Sequence, residues 1–269
     1  MVTATKILVR EPRFGHEHGA GGPWNARLPE LSHTLNGFQL ALPYLEPYFI
    51  DAVRGAREHV KDPQLLEDMR AFCAQEAEHA RQHRQYCRLL RKRYPRLAEL
   101  ETGIQQSLVH SRRNHSLPWR LAYTAGYEAI TAQFSRWLFA NAEDWFRDAD
   151  PHFASMITWH AAEEIEHRHV AFDVLHAVDP SHALRVRGLV AALKKTYADL
   201  NPAVSYMLEV DGLLGRWDSR ARRVQLRLSS VRNLLPSLLR YLAPRYHPSQ
   251  DPEPAAFAVW QRDNAPAGA

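Results

Sequence analysis

Glu46 is followed after 30 residues by Glu76-Ala77-Glu78-His79, and Glu128 after 36 residues by Glu164-Ile165-Glu166-His167. One pattern is thus written twice. Residues three apart share a face of an α-helix, so each Glu-x-x-His offers a carboxylate and an imidazole side by side. Carboxylates can bridge two metal ions and neutralise their charge, while each imidazole completes the coordination of one ion. Positions left open on such a pair allow either dioxygen binding and reduction or activation of a bridging water. The candidate metal ligands are therefore Glu46, Glu76, His79, Glu128, Glu164 and His167. Two iron ions are the expected cofactor, with Mn or Zn as alternatives.

Further groups lie close to these in sequence. His83 falls four residues after His79, and His160 four before Glu164. Each is either a seventh ligand or an outer hydrogen-bond partner, and both are candidate catalytic residues. Glu163 is turned about 100° from Glu164 and is a weaker candidate. Glu78 and Glu166 point elsewhere on their helices and read as solvated. His169 and Asp173, four apart, read as local support. Tyr127 and Trp159 neighbour ligands and either line the pocket, relay electrons or fill core. His79-Ala80-Arg81-Gln82-His83 has the histidine spacing of a zinc-protease helix but carries Ala80 where the general base belongs. No nucleophile elbow or phosphate loop points to another class of catalysis.

These residues need helices to hold them. The first is expected from about Pro43 to His59, with Pro43 and Pro47 in its opening turn, which sets Glu46 near its start. Asp62-Pro63 is a cap followed by a helix-opening proline, and the helix it launches should reach about Tyr94. It carries Phe72, Glu76, His79, His83, Tyr86 and Leu90 on one face. Residues 95–115 read as an amphipathic connection. Ser116-Leu117-Pro118 opens a third helix to about Arg147, and Asp150-Pro151 a fourth to about Val178. One Glu from each of two helices plus a Glu-x-x-His from each of two others is the ligand set of ferritin-like di-iron and di-manganese bundles. The expected fold is all-α, a ferritin-like four-helix bundle with extra C-terminal helices.

The expected organisation is an N-terminal arm over residues 1–36, a helical metal-binding domain over 37–242 (bundle core about 43–178, added helices 181–242) and a Pro/Ala-rich irregular tail over 243–269. The added helices are expected at roughly 181–200, 203–216 and 219–242, with Pro236 kinking or dividing the last. That last segment is Arg-rich with an apolar face, which could pack on the bundle, a second subunit or a membrane surface; packing on protein is the plainest reading. In the arm, His16-Glu17-His18 reads as a Gly-flanked surface loop rather than a metal site.

With 269 residues, 45% of them hydrophobic, the chain can bury a substantial core. A net charge of +4 from 34 basic and 30 acidic residues, mixed along the chain, gives no basic stripe for a nucleic acid. Cys73 and Cys87 fall on one helix, roughly 21 Å apart along its axis, too far to pair, and read as reduced core thiols. The N-terminus lacks the apolar run of a signal peptide, and no stretch is long and apolar enough to span a bilayer. A cytoplasmic protein is expected.

Phe72-Cys73-Ala74-Gln75-Glu76-Ala77-Glu78-His79, with His83, and Trp159-His160-Ala161-Ala162-Glu163-Glu164-Ile165-Glu166-His167, running on to Ala171-Phe172-Asp173, resemble the two signature segments of the bacterial "predicted metal-dependent hydrolase" family. The resemblance spans roughly residues 35–200. The family usually carries Gly-Glu where this chain has Leu45-Glu46. Its name implies hydrolysis, whereas the ligand pattern is closer to that of di-iron oxidases and oxygenases. The leading expectation is a di-iron enzyme that uses dioxygen to oxidise a small apolar molecule. The alternatives are a hydrolase working through a metal-bridging water and a non-catalytic iron-binding bundle. A small-molecule substrate is expected and no nucleic acid; the amphipathic C-terminal helices leave a homodimer open.

Overall fold

The computed structural model describes residues 7–15 and 21–265. Helices α1 (Pro29–Gly55), α2 (Pro63–Arg93), α3 (Leu97–Asn114), α4 (Leu117–Phe146), α5 (Pro151–His167), α6 (Val170–Val178), α7 (His182–Val210), α8 (Trp217–Tyr241) and α9 (Ala255–Asp263) account for the regular structure, with single 3₁₀ turns at Arg57–His59 and Pro248–Gln250. There is no strand among the described residues. The fold is all-α. α1 packs along α2, and α4 along α5 and α6, while α7 lies against both α1 and α4.

Two helix starts follow directly from capping chemistry. The Asp62 carboxylate accepts from the amide of Gln64, and the Asp150 carboxylate from those of His152 and Phe153. In each case a proline follows at the first position, where it has no intrahelical bond to lose.

α1 departs from expectation. It begins at Pro29 rather than near Pro43, so Pro43, Glu46 and Pro47 all lie in its interior. An interior proline lacks an N–H and frees the carbonyl four residues earlier. Here α2 supplies the missing donors. The Cys87 thiol donates to the Gln39 carbonyl at 3.3 Å, and Arg84 Nη1 to the Pro43 carbonyl at 3.4 Å. The helix continues because its neighbour repairs it. α7 likewise continues through Pro202, where a break was expected, and α8 runs undivided through Pro236, where a kink or a division was expected.

The expected fourth helix is divided. α5 stops at His167, and α6 resumes at Val170. The guanidinium of Arg168 folds back onto the Ile165 carbonyl, the acceptor the His169 amide would otherwise use, and also reaches the Pro248 carbonyl and Glu253. The segment after Ala243 is not irregular throughout. Phe257 of α9 is buried against Phe139, and Asp251 is buried with hydrogen bonds from Gln133 and Tyr246. Residues 7–15 form no regular element and lie against the bundle, where Gln75 and Gln82 donate to the carbonyls of Leu8 and Pro12. His16, Glu17 and His18 lie outside the described residues.

α4 is the central helix: every residue from Leu121 to Gln133 is buried. Its closest crossing is with α7, at Gly126 and Gly188. A Cβ on Gly188 would stand 2.1 Å from the Ala122 carbonyl oxygen, and one on Gly126 2.7 Å from the Leu189 Cα. Backbone meets backbone there, and only glycine permits it. Two residues beyond Gly126 stands Glu128.

Candidate metal centre

Four helices deliver carboxylates and imidazoles to one place. α1 brings Glu46, α2 brings Glu76, His79 and His83, α4 brings Glu128, and α5 brings His160, Glu164 and His167. All eight are buried, none more than 5% exposed. Their donor atoms form overlapping groups: Glu46, Glu76 and His79; Glu76, Glu128 and His167; His79, His160 and Glu164; and Glu46, His83 and His160. Glu76 belongs to the first two and joins the two halves of the pattern.

The distances suit ligands sharing an ion. His167 Nε2 stands 3.2 Å from both Glu76 Oε1 and Glu128 Oε2, and 3.6 Å from Glu164 Oε2. His79 Nδ1 is 3.6 Å from Glu164 Oε1 and 3.9 Å from Glu76 Oε1. Neighbouring donors about 2.1 Å from one ion stand roughly 3.0–3.4 Å from each other, a range the two 3.2 Å contacts of His167 meet and the 3.6 and 3.9 Å ones exceed. Yet both oxygens of Glu46 and of Glu76, Glu128 Oε2, Glu164 Oε2, His79 Nδ1 and His167 Nε2 make no hydrogen bond. The atoms are close but misaligned for bonding to one another; they converge on shared points. A buried group is rarely left in that state without a reason.

Burial raises the proton affinity of the acids. Desolvation, reinforced by neighbouring carboxylates, pushes Glu46 and Glu76 well above the usual range and Glu128 up to about 7. His79 and His160 are pushed down to about 3, chiefly by desolvation. Desolvation acts on Glu164 and His167 as well but is overridden: His160 and His167 hold Glu164 below its usual value, and Glu164 and Glu128 raise His167. So dense a cluster of acids in a dry core is costly without cations to neutralise it.

An outer layer fixes the imidazoles, and it crosses between the halves. His167 Nδ1 pairs with Gln75 Oε1 of α2 at 2.8 Å, and His79 Nε2 with Glu163 Oε2 of α5 at 3.1 Å. Each contact consigns one ring nitrogen outward and turns the other toward the cluster. Glu163 therefore matters more than its 100° offset suggests. It also accepts from Trp159 Nε1 at 2.9 Å and from Arg10 Nη1 at 3.1 Å, while burial pushes its pKa up to about 8. Glu166, expected in solvent, is fully buried and accepts from Arg10, Gln75 and the Leu8 amide. Glu78 is only half-buried and pairs with Arg81.

Of the remaining sequence candidates, His83 Nε2 stands 3.0 Å from His160 Nδ1 and 3.3 Å from Glu46 Oε1, and His160 Nε2 stands 3.4 Å from Glu164 Oε1. The Trp159 ring lies edge-on to His79, and Tyr127 packs on Phe49 and Tyr123. Asp173 bears electrostatically on His169, as expected of a local pair, but their closest ion-pair partners are others: His169 faces Asp68, and Asp173 accepts from His247. Sequence reading missed Gln75 and Arg10. The signal for Gln75 was present, because both halves read Glx-Glu-x-Glu-His, one residue longer than the motif first noted. Arg10 left no such trace.

No curated protein and no solved structure matches this chain. A protein family does: its model aligns with residues 8–251, nearly the whole chain and both halves of the cluster, and on that extent the chain belongs to the predicted metal-dependent hydrolase family.

Proposed function

We propose that the cluster holds two metal ions, iron by preference, in a ferritin-like arrangement, and that the protein uses them with dioxygen to oxidise a small apolar molecule. The observation that carries this reading is the convergence of four carboxylates and four imidazoles, with no thiolate, in which both oxygens of Glu46 and of Glu76, Glu128 Oε2, Glu164 Oε2, His79 Nδ1 and His167 Nε2 lack hydrogen-bond partners. Oxygen and imidazole donors suit iron and manganese as well as zinc. Glu46, Glu76 and His79 would hold one ion and Glu128, Glu164 and His167 the other, with Glu76 shared and His160 a seventh donor. Iron held there would pass electrons from the organic substrate to dioxygen. The protein's part is to fix the ligands, keep water away and balance charge. A cavity of about 20 Å³ between α1, α4 and α7, walled by Leu45, Phe49, Tyr127 and Thr131, has room for a molecule the size of water or dioxygen.

Hydrolysis is the second reading, and the His83–His160 contact favours it. Two imidazoles 3.0 Å apart beside the cluster could pass a proton from a water activated by Zn or Mn. Metal analysis of the purified protein, then anaerobic ferrous titration and exposure to air, separates the two. About two irons per chain and an oxo-bridge absorption band on exposure are expected. Zn or Mn with no response to oxygen would favour hydrolysis, and failure to load any metal would sink both.

A further inference from the structure

α8 carries two different faces. The inner one docks on the protein: Ser219, Ser237 and Tyr241 are buried, and Leu226, Leu234 and Leu238 pack against the core. The outer one is apolar and open. Trp217, Val224, Leu228, Val231, Leu235 and Leu239 recur at three- and four-residue steps (with Ala221 filling the first gap), and all are exposed, Trp217 by 83% and Leu228 by 66%. At about 100° per residue they fall within a stripe roughly 80° wide. An unbroken exposed stripe of this kind differs from the scattered apolar residues found on any surface.

The charges beside the stripe identify what would cover it. Most arginines of this region are occupied. Arg216 and Arg222 hold Asp218, Arg223 bonds the Leu214 carbonyl, and Arg240 pairs with Asp251. Arg220 and Arg227 edge the stripe on one side and Arg232 on the other, and these three have no ion pair among the described residues. A second copy of α8 offers them no acid, because its one acidic residue, Asp218, is already bound twice. Face-to-face self-pairing would bring unpaired cations together. An anionic lipid headgroup layer satisfies both features, taking Trp, Leu and Val into its acyl boundary and the guanidiniums at its phosphates. No helix among the described residues is long and apolar enough to cross a membrane, so α8 would lie on the surface.

We propose that the outer face of α8 is a docking surface for anionic lipid bilayers. The inference is independent of the metal chemistry. The test is flotation of the full-length, as-purified protein with vesicles of phosphatidylcholine alone or with roughly 30% phosphatidylglycerol. Binding to the anionic vesicles only, reversed by about 0.5 M NaCl, is expected. Replacing the three free arginines together (R220Q, R227Q and R232Q) should lower partitioning on the order of 100-fold. Leu228→Glu should abolish it with circular dichroism unchanged, since that side chain already faces solvent. Absence of binding, or equal binding to neutral vesicles, would overturn the proposal. So would a dimer in sedimentation velocity that Leu228→Glu dissociates while vesicle binding persists, since the stripe would then be covered by a second copy.

Discussion

The two halves of the cluster carry the same five-residue frame and are braced differently. In the second half, Glu163 and Glu166 are both buried, and Arg10 of the N-terminal segment is clamped across them. In the first, the corresponding positions are the neutral Gln75 and the half-buried Glu78. His79 therefore leans on a carboxylate and His167 on an amide. A carboxylate partner makes an imidazole a stronger donor than an amide does. Equivalent histidines in sequence are thus unequal in the fold, and the inequality comes from residues outside the cluster.

Glu76, common to two donor groups, gives the largest test. Glu76→Ala is expected to abolish loading, whereas Glu128→Ala, which removes a member of one group, should leave about one ion per chain by elemental analysis. Equal losses would mean that the halves do not share Glu76. Next come the glycines behind each half. Gly188→Ala drives a methyl into the Ala122 backbone behind the second half and should cost at least ~3 kcal/mol in denaturant unfolding. Gly37→Ala behind the first half meets only the side-chain ends of Leu200 and Val204 within 3.0 Å. There the ~1 kcal/mol gained in helix propensity should leave the net change within about 1 kcal/mol of zero.

The outer layer should show a smaller effect. Glu163→Ala and Arg10→Ala are expected to weaken metal affinity by about 10- to 100-fold, with Gln75→Ala milder than Glu163→Ala. Competition with a chromogenic chelator measures this, and identical losses for Gln75 and Glu163 would erase the asymmetry. The smallest effect is that of pH. Raised carboxyl pKa values mean that the fold binds more protons than the unfolded chain, so their stabilising contribution is lost as pH rises. Glu128, near 7, and Glu163, near 8, act between their ordinary values and those limits, and Glu46, Glu76 and His167 act in the same direction. His79 and His160, near 3, pull the other way only below their ordinary value of 6.5. Metal-free protein should therefore melt at a lower temperature at pH 8 than at pH 6.5. Metal competes with those protons, so loaded protein should show the reverse trend. Parallel slopes would count against the cluster as a metal site.

Much of this was legible in the chain because it is local. Helical periodicity puts Glu76, His79 and His83 on one face, and Asp-Pro pairs mark where α2 and α5 begin. The start of α1 was not legible. Pro43 and Pro47 argue for a boundary unless distant donors repair the helix, and those donors, Cys87 and Arg84, lie 48 and 41 residues from the carbonyls they serve. The break after His167 was hidden for a similar reason, since it depends on where Arg168 finds Pro248 and Glu253. Arg10 reaches Glu166 across 156 residues, and no spacing rule connects an irregular segment to a helix at that range.

The repair of α1 also bears on how the molecule opens. A helix that borrows two of its rungs from a neighbour is no longer a unit of its own around Glu46, because parting α1 from α2 forfeits backbone bonds as well as packing. Amides near Glu46 should therefore exchange with solvent together with the α1–α2 contact rather than by independent fraying. The carboxylate that α1 contributes is tied in this way to the helix that contributes Glu76 and His79, so that this half of the cluster assembles or is lost in a single step.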